Sequence, residues 1–257
     1  MCGIAGIVSV QPGGLDEPLC AMLATLHHRG PDGEGNWVGH AGQRLVALGQ
    51  TRLAIIDLTE AGRQPMLSTD ERYVLIYNGE VYNYLELKSE LAARGVAFRS
   101  RTDTEVVLQA LVAWGSSAVE RFNGMWAFAL LDKLTRRLIL SRDRLGVKPL
   151  YLYHDRRTDT LYFASEIKAI LAGCRDRFAL NPMVVTRYLE QQQIAAQPET
   201  FFKDIEELPP ATLLELDLDA NVLQPFGARR FWRLSLEEAF SGTQEERIAV
   251  VRETFCD

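Results

Sequence analysis

The chain is poor in cysteine, with only four among its 257 residues. These cysteines are scattered without the paired spacing of metal sites or disulfide frameworks, at Cys2, Cys20, Cys174 and Cys256. The sequence therefore predicts neither a zinc site nor a disulfide-stabilised fold. It is typical of a protein of a reducing cytoplasm.

The chain also lacks clustered positive charge and long apolar runs. Lys and Arg form no run longer than a pair, and the formal net charge is -6, which excludes the basic surface that binds nucleic acid or anionic lipid. No stretch has the length of a membrane span, and the N-terminus lacks the basic and apolar regions of a secretion signal. We expect a cytoplasmic protein whose partners are small molecules or proteins.

Short β-type runs dominate the first two thirds of the sequence, and a few segments with helical periodicity lie between them. Strands are predicted at 3–10, 44–48, 53–58, 73–77, 125–131, 137–141, 150–153 and 161–164. Helices are predicted at 17–27, 84–94, 104–114, 166–171 and 243–255. Because strands and helices do not alternate strictly, the pattern favours an α+β sandwich of layered sheets over a doubly wound parallel sheet.

Cys2 lies directly after the initiator methionine and before the small residue Gly3. Methionine is normally removed before so small a second residue, which would leave a thiol and a free α-amine on Cys2. An amine with a pKa of ~7.7–8.0 can accept the thiol proton near neutral pH, so nucleophile and base would come from one residue. The alternative is an inert, buried cysteine at the start of a core strand.

Asn78 and Gly79 follow the apolar run 74–77, and we predict that the strand ends there in a turn. An amide side chain and an unhindered glycine N–H that point the same way could stabilise a developing oxyanion. Asn-Gly is also the commonest signal for a β-hairpin. Since residues 82–94 have helical periodicity and are not a returning strand, the simple hairpin is disfavoured.

Three charged residues could bind the two ends of an amino-acid substrate. A guanidinium such as that of Arg52 suits a carboxylate, and carboxylates such as those of Glu80 and Asp103 suit an ammonium group. Asp103 lies at the start of a predicted helix, where it could equally serve as the N-cap. Spacing leaves both roles of Asp103 open.

Eight sequence blocks follow one another in a fixed order between residues 1 and 171. They are M-C-G-I-A-G-I at 1–7, H-R-G-P-D-G-E-G at 28–35, R-L-A-I-I-D-L at 52–58, Y-N-G-E-V-Y-N at 77–83, R-T-D-T-E-V at 101–106, F-N-G-M-W-A-F-A at 122–129, S-R-D-R-L-G-V-K-P-L-Y at 141–151 and A-S-E-I-K-A-I-L at 164–171. Together they resemble the glutaminase domain of class II glutamine amidotransferases. Among these, Pro31-Asp32 resembles the glutamine-hydrolysing asparagine synthetases.

The resemblance implies a fold and a set of site residues. The fold is that of the N-terminal nucleophile hydrolases, a four-layer αββα sandwich with two antiparallel sheets. The nucleophile would be Cys2, the oxyanion donors the Asn78 side chain and the Gly79 N–H, and the substrate anchors Arg52 for the carboxylate with Glu80 and Asp103 for the amino group. The block at 28–35, with Arg29 and Asp32, would support the site from beneath through charge-assisted hydrogen bonds.

The implied reaction is hydrolysis of L-glutamine to glutamate and ammonia without a metal or organic cofactor. In a complete enzyme the ammonia would serve asparagine synthesis from aspartate and ATP. We expect the glutaminase domain at 1–210, with its end and a connector helix at 211–257. The family's ATP-binding synthetase domain, with its S-G-G-L-D-S type loop, is absent from the sequence, so ATP and Mg would belong to a C-terminal or separate synthetase partner. The family also suggests a homodimer.

Three other interpretations stay open at the level of sequence. The chain could serve a relative that amidates another carboxylate. It could be an N-terminal cysteine hydrolase that acts on a different amide, in which case loss of Arg52 and Asp103 should be tolerated. It could also be a non-catalytic glutaminase-like subunit that binds a synthetase partner, particularly if Met1 is retained.

Overall fold

The computed structural model describes residues 1–11, 13–55, 57–174, 176–192, 198–225, 227–235 and 242–256. The strands of this part are β1 (Gly3–Ser9), β2 (Gly33–Ala41), β3 (Arg44–Arg52), β4 (Met66–Leu67), β5 (Tyr73–Val81), β6 (Gly124–Asp132), β7 (Arg137–Arg142), β8 (Tyr151–Asp155), β9 (Thr160–Ala164), β10 (Ile205–Glu207), β11 (Thr212–Asp217) and β12 (Arg229–Arg230). The α-helices are α1 (Asp16–Leu26), α2 (Tyr84–Ala93), α3 (Asp103–Trp114), α4 (Ile167–Gly173), α5 (Pro182–Gln191) and α6 (Gln244–Cys256).

The strands form two six-stranded sheets. Their orders are β10-β8-β9-β1-β3-β2 in the first sheet and β12-β11-β7-β6-β5-β4 in the second. The strand pairings in both sheets are antiparallel. Helices α1 and α4 cover the outer face of the first sheet, and α2 and α3 cover that of the second. The predicted α+β sandwich of four layers is thus confirmed.

Side-chain alternation divides each central strand between two cores. On β5, Val74 and Ile76 face the layer between the sheets, whereas Leu75 and Tyr77 face α2 and α3. Strands buried on both faces read as nearly continuous apolar runs, which is why the sequence indicated them so clearly. The layer between the sheets is the part of the core that leads to the site.

The predicted strand at 53–58 is wrong. The described residues of this segment lie outside the strands, and Ile56 is not among the described residues. The N–H of Leu53 is donated to Cys2 Sγ at 3.4 Å, and that of Ala54 to a carboxylate oxygen of Asp32 at 2.9 Å. Because side chains take these backbone donors, the apolar run forms a loop and not a sheet ladder.

Strand β2 was not predicted, because glycine has low strand propensity and Gly33, Gly35 and Gly39 interrupt its pattern. Gly35 is required by a close approach of two backbones. A Cβ there would lie 2.0 Å from the carbonyl oxygen of Gln64. The missing side chain therefore lets β2 pass against the segment that leads into β4.

The C-terminal region contributes more to the sandwich than the sequence indicated. Strand β11 lies between β7 and β12, and β10 extends the first sheet beside β8. The division at residue 210 stays a prediction, but the second sheet continues to at least residue 217. Helix α6 confirms the helix predicted at 243–255. No helix within the described ranges is long and apolar enough to cross a bilayer.

Candidate active site

At one end of the layer between the sheets, the inward-facing side chains of both sheets change from apolar to polar. On β1 the residues Ile4 and Val8 face this layer, and the same alternation turns the side chain of Cys2 toward it. On β3 the residues Val46 and Leu48 face it, and alternation adds Arg52. The first sheet therefore contributes a thiol and a guanidinium where apolar residues would otherwise continue.

The second sheet contributes an amide and a carboxylate at the same end. Asn78 and Glu80 follow Val74 and Ile76 on the inner face of β5. The polar residues of both sheets line one cavity of ≈ 80 Å³. Its wall includes the predicted site residues Cys2, Arg52, Asn78, Gly79, Glu80 and Asp103. The structure therefore brings all six together.

The Cys2 thiol needs a proton acceptor. Its Sγ lies 3.4 Å from Leu53 N and 3.7 Å from Leu53 O. Burial raises the pKa of the Cys2 thiol, against the opposing effects of the Leu53 N–H, the chain's terminal amino group and Arg52. With Met1 in place the nitrogen of Cys2 is part of a peptide bond. A free α-amine on Cys2 requires removal of Met1.

Side chains from two sequence blocks fix the main chain on both sides of Gly3. Arg29 donates from Nε to the carbonyl oxygen of Cys2 at 2.9 Å and from Nη1 to Glu166 at 2.8 Å. Ser165 donates its N–H to Ile4 O at 2.9 Å and accepts the Ile4 N–H at 3.0 Å. These contacts agree with a supporting role for the blocks at 28–35 and 164–171, since they hold the backbone that carries the thiol.

Asn78 and Gly79 do not lie in a turn, so that prediction is wrong. Strand β5 continues to Val81, with Gly79 opposite Trp126 of β6. A Cβ at Gly79 would lie 2.4 Å from the carbonyl oxygen of Met125. The Asn-Gly pair therefore occurs here because the strands approach closely, and not because the chain reverses direction.

The structure nevertheless places both predicted oxyanion donors at the cavity. Asn78 is 1% exposed, and its Nδ2 is buried without a hydrogen-bond partner among the described residues. The N–H groups of Tyr77 and Val81 point away from β6, to Gln64 Oε1 at 2.7 Å and Asp103 Oδ2 at 3.1 Å. Because N–H directions alternate along a strand, the Gly79 N–H points to the same free edge.

A short loop holds the guanidinium of Arg52 at the cavity. Arg52 donates from Nη1 to Thr59 O at 3.0 Å and from Nη2 to the carbonyl oxygen of Asp57. A Cβ at Gly62 would lie 2.2 Å from Nη2, so a larger residue there would displace the guanidinium from this position. Hydrogen bonds from the hydroxyl and N–H of Thr59 and from the N–H of Arg101 lower the pKa of Asp57 to about 2. The Asp57 carboxylate thereby holds the loop together across the neutral pH range.

Asp103 is not the N-cap of α3. Thr102 holds that position, because its hydroxyl accepts the N–H of Glu105 at 3.2 Å. Asp103 Oδ2 instead accepts the Tyr77 hydroxyl at 2.8 Å and the Val81 N–H at 3.1 Å. Burial raises the pKa of the Asp103 carboxyl, and these two hydrogen bonds oppose the shift. The structure thus supplies a buried carboxyl at the cavity and a separate helix cap.

Sequence reasoning missed Lys148, which also lines the cavity and is 4% exposed. Its backbone is fixed on both sides, since Asp143 Oδ2 accepts the Lys148 N–H at 2.9 Å and Arg142 Nε donates to Lys148 O at 2.9 Å. The signal was present in the block at 141–151, to which no site role was given. In the structure, this block places the Lys148 side chain at the cavity wall.

Within the ranges that the structure describes, no group of three or more His, Cys, Asp or Glu side chains could hold a metal ion.

The comparison with known families assigns the class. Residues 1–232 match the family model of the glutamine amidotransferase domain. The chain therefore belongs to the glutamine amidotransferase domain family, and the enzyme class predicted from the sequence blocks is confirmed.

Curated relatives specify the branch of the family. The chain is 36% identical over 250 residues to the putative asparagine synthetase [glutamine-hydrolyzing] 2 of Methanocaldococcus jannaschii, with coverage of 91% of this chain and 47% of the relative. It is 36% identical over 273 residues to asparagine synthetase [glutamine-hydrolyzing] 3 of Bacillus subtilis, with 100% and 40% coverage. A relative with a different name is Amidase chry2 of Gibberella zeae, 32% identical over 226 residues, with 83% and 32% coverage. The chain spans less than half the length of these relatives.

A solved structure supports the fold. The glutamine phosphoribosylpyrophosphate amidotransferase from B. subtilis superposes with a TM-score of 0.65 at 21% identity, over 90% of this chain and 49% of that one. At this identity the likeness concerns the fold alone. It agrees with the predicted N-terminal nucleophile sandwich.

Proposed function

We propose that this domain hydrolyses L-glutamine to glutamate and ammonia, with Cys2 as the nucleophile once Met1 has been removed. The observation that carries the proposal is the buried Asn78 Nδ2, which has no partner among the described residues and lines the same cavity as Cys2. An unsatisfied buried donor costs about 1–3 kcal/mol, so a fold that retains one has a use for it. Stabilising an oxyanion is such a use.

The chemistry proceeds in two stages. The α-amine of Cys2 takes the thiol proton, and the sulfur attacks the side-chain amide carbon of glutamine. Asn78 and Gly79 donate to the resulting oxyanion, and the protonated amine returns its proton to the leaving nitrogen, which departs as ammonia. Water then hydrolyses the γ-glutamyl thioester to glutamate and restores the thiol. The residues of the chain suffice for both stages.

The charged residues of the cavity define the substrate as an amino acid. Arg52 binds the α-carboxylate, and Glu80 with Asp103 binds the α-ammonium group. This arrangement favours glutamine over a simple amide, because a substrate without charged ends would leave the three side chains unpaired. An N-terminal hydrolase for another amide would not need them.

The ammonia acceptor belongs to a synthetase partner. The names of the two asparagine synthetase relatives support aspartate as the acceptor, with ATP and Mg bound by a C-terminal or separate synthetase domain and none in this half. The relative named as an amidase supports the second candidate, in which another carboxyl compound is amidated. A cytoplasmic location and a homodimer accompany the proposal as expectations.

The test is intact-mass spectrometry before and after treatment with 6-diazo-5-oxonorleucine, a glutamine analogue that alkylates activated cysteines. We expect loss of the Met1 mass and a single adduct, absent from Cys2→Ala. Cys20→Ala is the matched control, because Cys20 is exposed and distant from the cavity lining. A protein that has lost Met1 but forms no adduct would support the non-catalytic interpretation.

A second measurement separates glutamine from other amides. Arg52→Met and Asp103→Asn should each raise the KM for glutamine at least about tenfold, since each removes a charge-assisted contact. Unchanged KM values in both variants would favour a hydrolase of another amide.

A further inference from the structure

Lys148 is a buried cation with weak compensation. Within the described part of the chain, its Nζ contacts the thioether Sδ of Met1 at 3.2 Å. A thioether is a poor acceptor, and no carboxylate among the described residues lies within 4.0 Å of this Nζ. A buried ammonium group in such surroundings costs free energy, which makes a structural role alone a poor explanation.

The other charges around the cavity have partners of their own. Arg29 is paired with Glu166, and the oxygens of Asp143 accept backbone N–H groups, including those of Leu145 and Lys148. Arg29 and Asp143 therefore each have hydrogen-bond partners other than the Lys148 ammonium group, although both charges still act on it through space.

The remaining charged groups face the substrate. Arg52 and Asp103 lie at the cavity with Glu80, where the proposed function assigns them to the two ends of glutamine. Burial lowers the pKa of the Lys148 ammonium, while Glu80, Asp143 and the Cys2 thiolate oppose the shift and Arg29 adds to it. Among the charged groups described around the cavity, Lys148 is thus the cation that has been given neither a contact with the substrate nor an ion-pair partner.

The position of Lys148 is defined relative to the chain's first peptide bond. Its Nζ touches the side chain of Met1, and the carbonyl of Met1 is bonded to the nitrogen of Cys2. Removal of Met1 takes away the thioether and turns that nitrogen into an amine. The amine then lies a few covalent bonds from the former position of the sulfur, and Cys2 and Lys148 line the same cavity.

We propose that Lys148 is a positioning residue that keeps the α-amine of Cys2 in its neutral, proton-accepting form after Met1 is removed. The inference rests on the proposed function. A positive charge nearby disfavours a second one, so the ammonium group of Lys148 opposes protonation of the amine. It thereby preserves the lone pair that must accept the thiol proton at neutral pH.

The test titrates the amine directly in Cys2→Ala, where no thiol interferes and Met1 is still removed before a small residue. The rate at which an acylating reagent labels the N-terminal amine is followed against pH by peptide mass spectrometry. We expect the amine to titrate below the ordinary ~7.7–8.0 range. Adding Lys148→Met should shift the titration upward by about one pH unit, whereas adding Lys148→Arg should leave it low.

The controls distinguish this effect from structural damage. Lys133→Met removes a lysine at the β6–β7 end of the second sheet and should not move the titration. Lys148→Gln gives a second neutral side chain if Lys148→Met does not fold. An amine that titrates at or above the ordinary range with Lys148 in place overturns the proposal without any Lys148 variant.

Activity gives an independent readout in the protein that retains Cys2. In Lys148→Met, the pH at which kcat/KM falls on the acid side should rise by as much as the pH at which the amine titrates. A higher KM with no change in the first of these pH values would make Lys148 a substrate contact and overturn the proposal. If the amine shifts as expected but 6-diazo-5-oxonorleucine never labels Cys2, the proposed function fails and the Lys148 effect stands.

Discussion

The middle and one end of the layer between the sheets are built from the same strands in different ways. In the middle, Ile4, Leu48 and Ile76 are fully buried in one apolar cluster. At the end, the same inward-facing alternation supplies Cys2 and Asn78. Strand geometry thus directs these two side chains into the cavity, because they take the positions that core residues would occupy one or two pleats further.

The two regions are also held by different forces. The middle relies on non-directional apolar burial, at roughly 25 cal/mol per Å². The end relies on directional hydrogen bonds in which Arg29 donates to a backbone carbonyl and the carboxylates of Asp57 and Asp143 accept backbone N–H groups. Mutations in the middle should therefore change stability and leave chemistry intact, whereas those at the end should change the chemistry.

The largest effect is expected for Leu138→Ala, in the apolar middle and away from the cavity lining. Loss of a fully buried leucine should lower the free energy of unfolding by about 2–5 kcal/mol. Urea unfolding measures the loss, and the kcat of the folded fraction should stay normal. Ile139→Ala, the partly buried neighbour on the other face, is the control and should cost less. A kcat of the folded fraction that fell together with the free energy of unfolding would contradict the separation between a stabilising middle and a chemical end.

Asn78→Ala should affect chemistry most strongly. Loss of one oxyanion donor typically lowers kcat about 10²–10³-fold, and the KM for glutamine should change little because the donor acts mainly in the transition state. Steady-state glutaminase assays measure both constants. Asn36→Ala, at an exposed position of β2, is the matched control. An Asn78→Ala enzyme with normal kcat would remove this side chain from the mechanism.

Arg29→Met tests the link between support and chemistry. The substitution keeps the volume but leaves the Cys2 carbonyl without its donor, so the free energy of unfolding should fall by about 1.5–3 kcal/mol. Alkylation of Cys2 by 6-diazo-5-oxonorleucine should also slow. Arg136→Met breaks a pair with Asp219 whose side chains are 46% and 47% exposed, and should cost at most about 1 kcal/mol. Equal losses in both variants would count against a special role for Arg29.

The smallest effect at neutral pH is expected for Tyr77→Phe. The Tyr77 hydroxyl stabilises the ionised form of Asp103, so its loss should raise the already raised pKa of that carboxyl further. Since the neutral carboxyl loses its attraction for the substrate ammonium, KM rises as pH falls, and in Tyr77→Phe this rise should begin about one pH unit higher.

Tyr73→Phe, two pleats away on the same face of β5, is the control for this pH profile. Identical profiles of KM against pH for both tyrosine variants and the unmodified protein would show that Asp103 does not bind the ammonium group.

The sequence predicted the sandwich because its central strands are apolar on both faces, and it predicted the site residues through blocks that surround them. It failed where side chains replace backbone pairing. The segment at 53–58 has a strand's composition, but Cys2 and Asp32 bind its N–H groups. The sequence also did not indicate strand β2 or the proposed role of Lys148. Both depend on close approaches and burial that arise only when distant segments of the chain pack together.

The contact between Met1 and Lys148 joins residues 147 positions apart. Synthesis runs from the N-terminus, so the first residues leave the ribosome long before Lys148 exists. During that interval Met1 makes no contact with Lys148. The order of synthesis therefore allows the proposed removal of Met1 to precede the closure of the site.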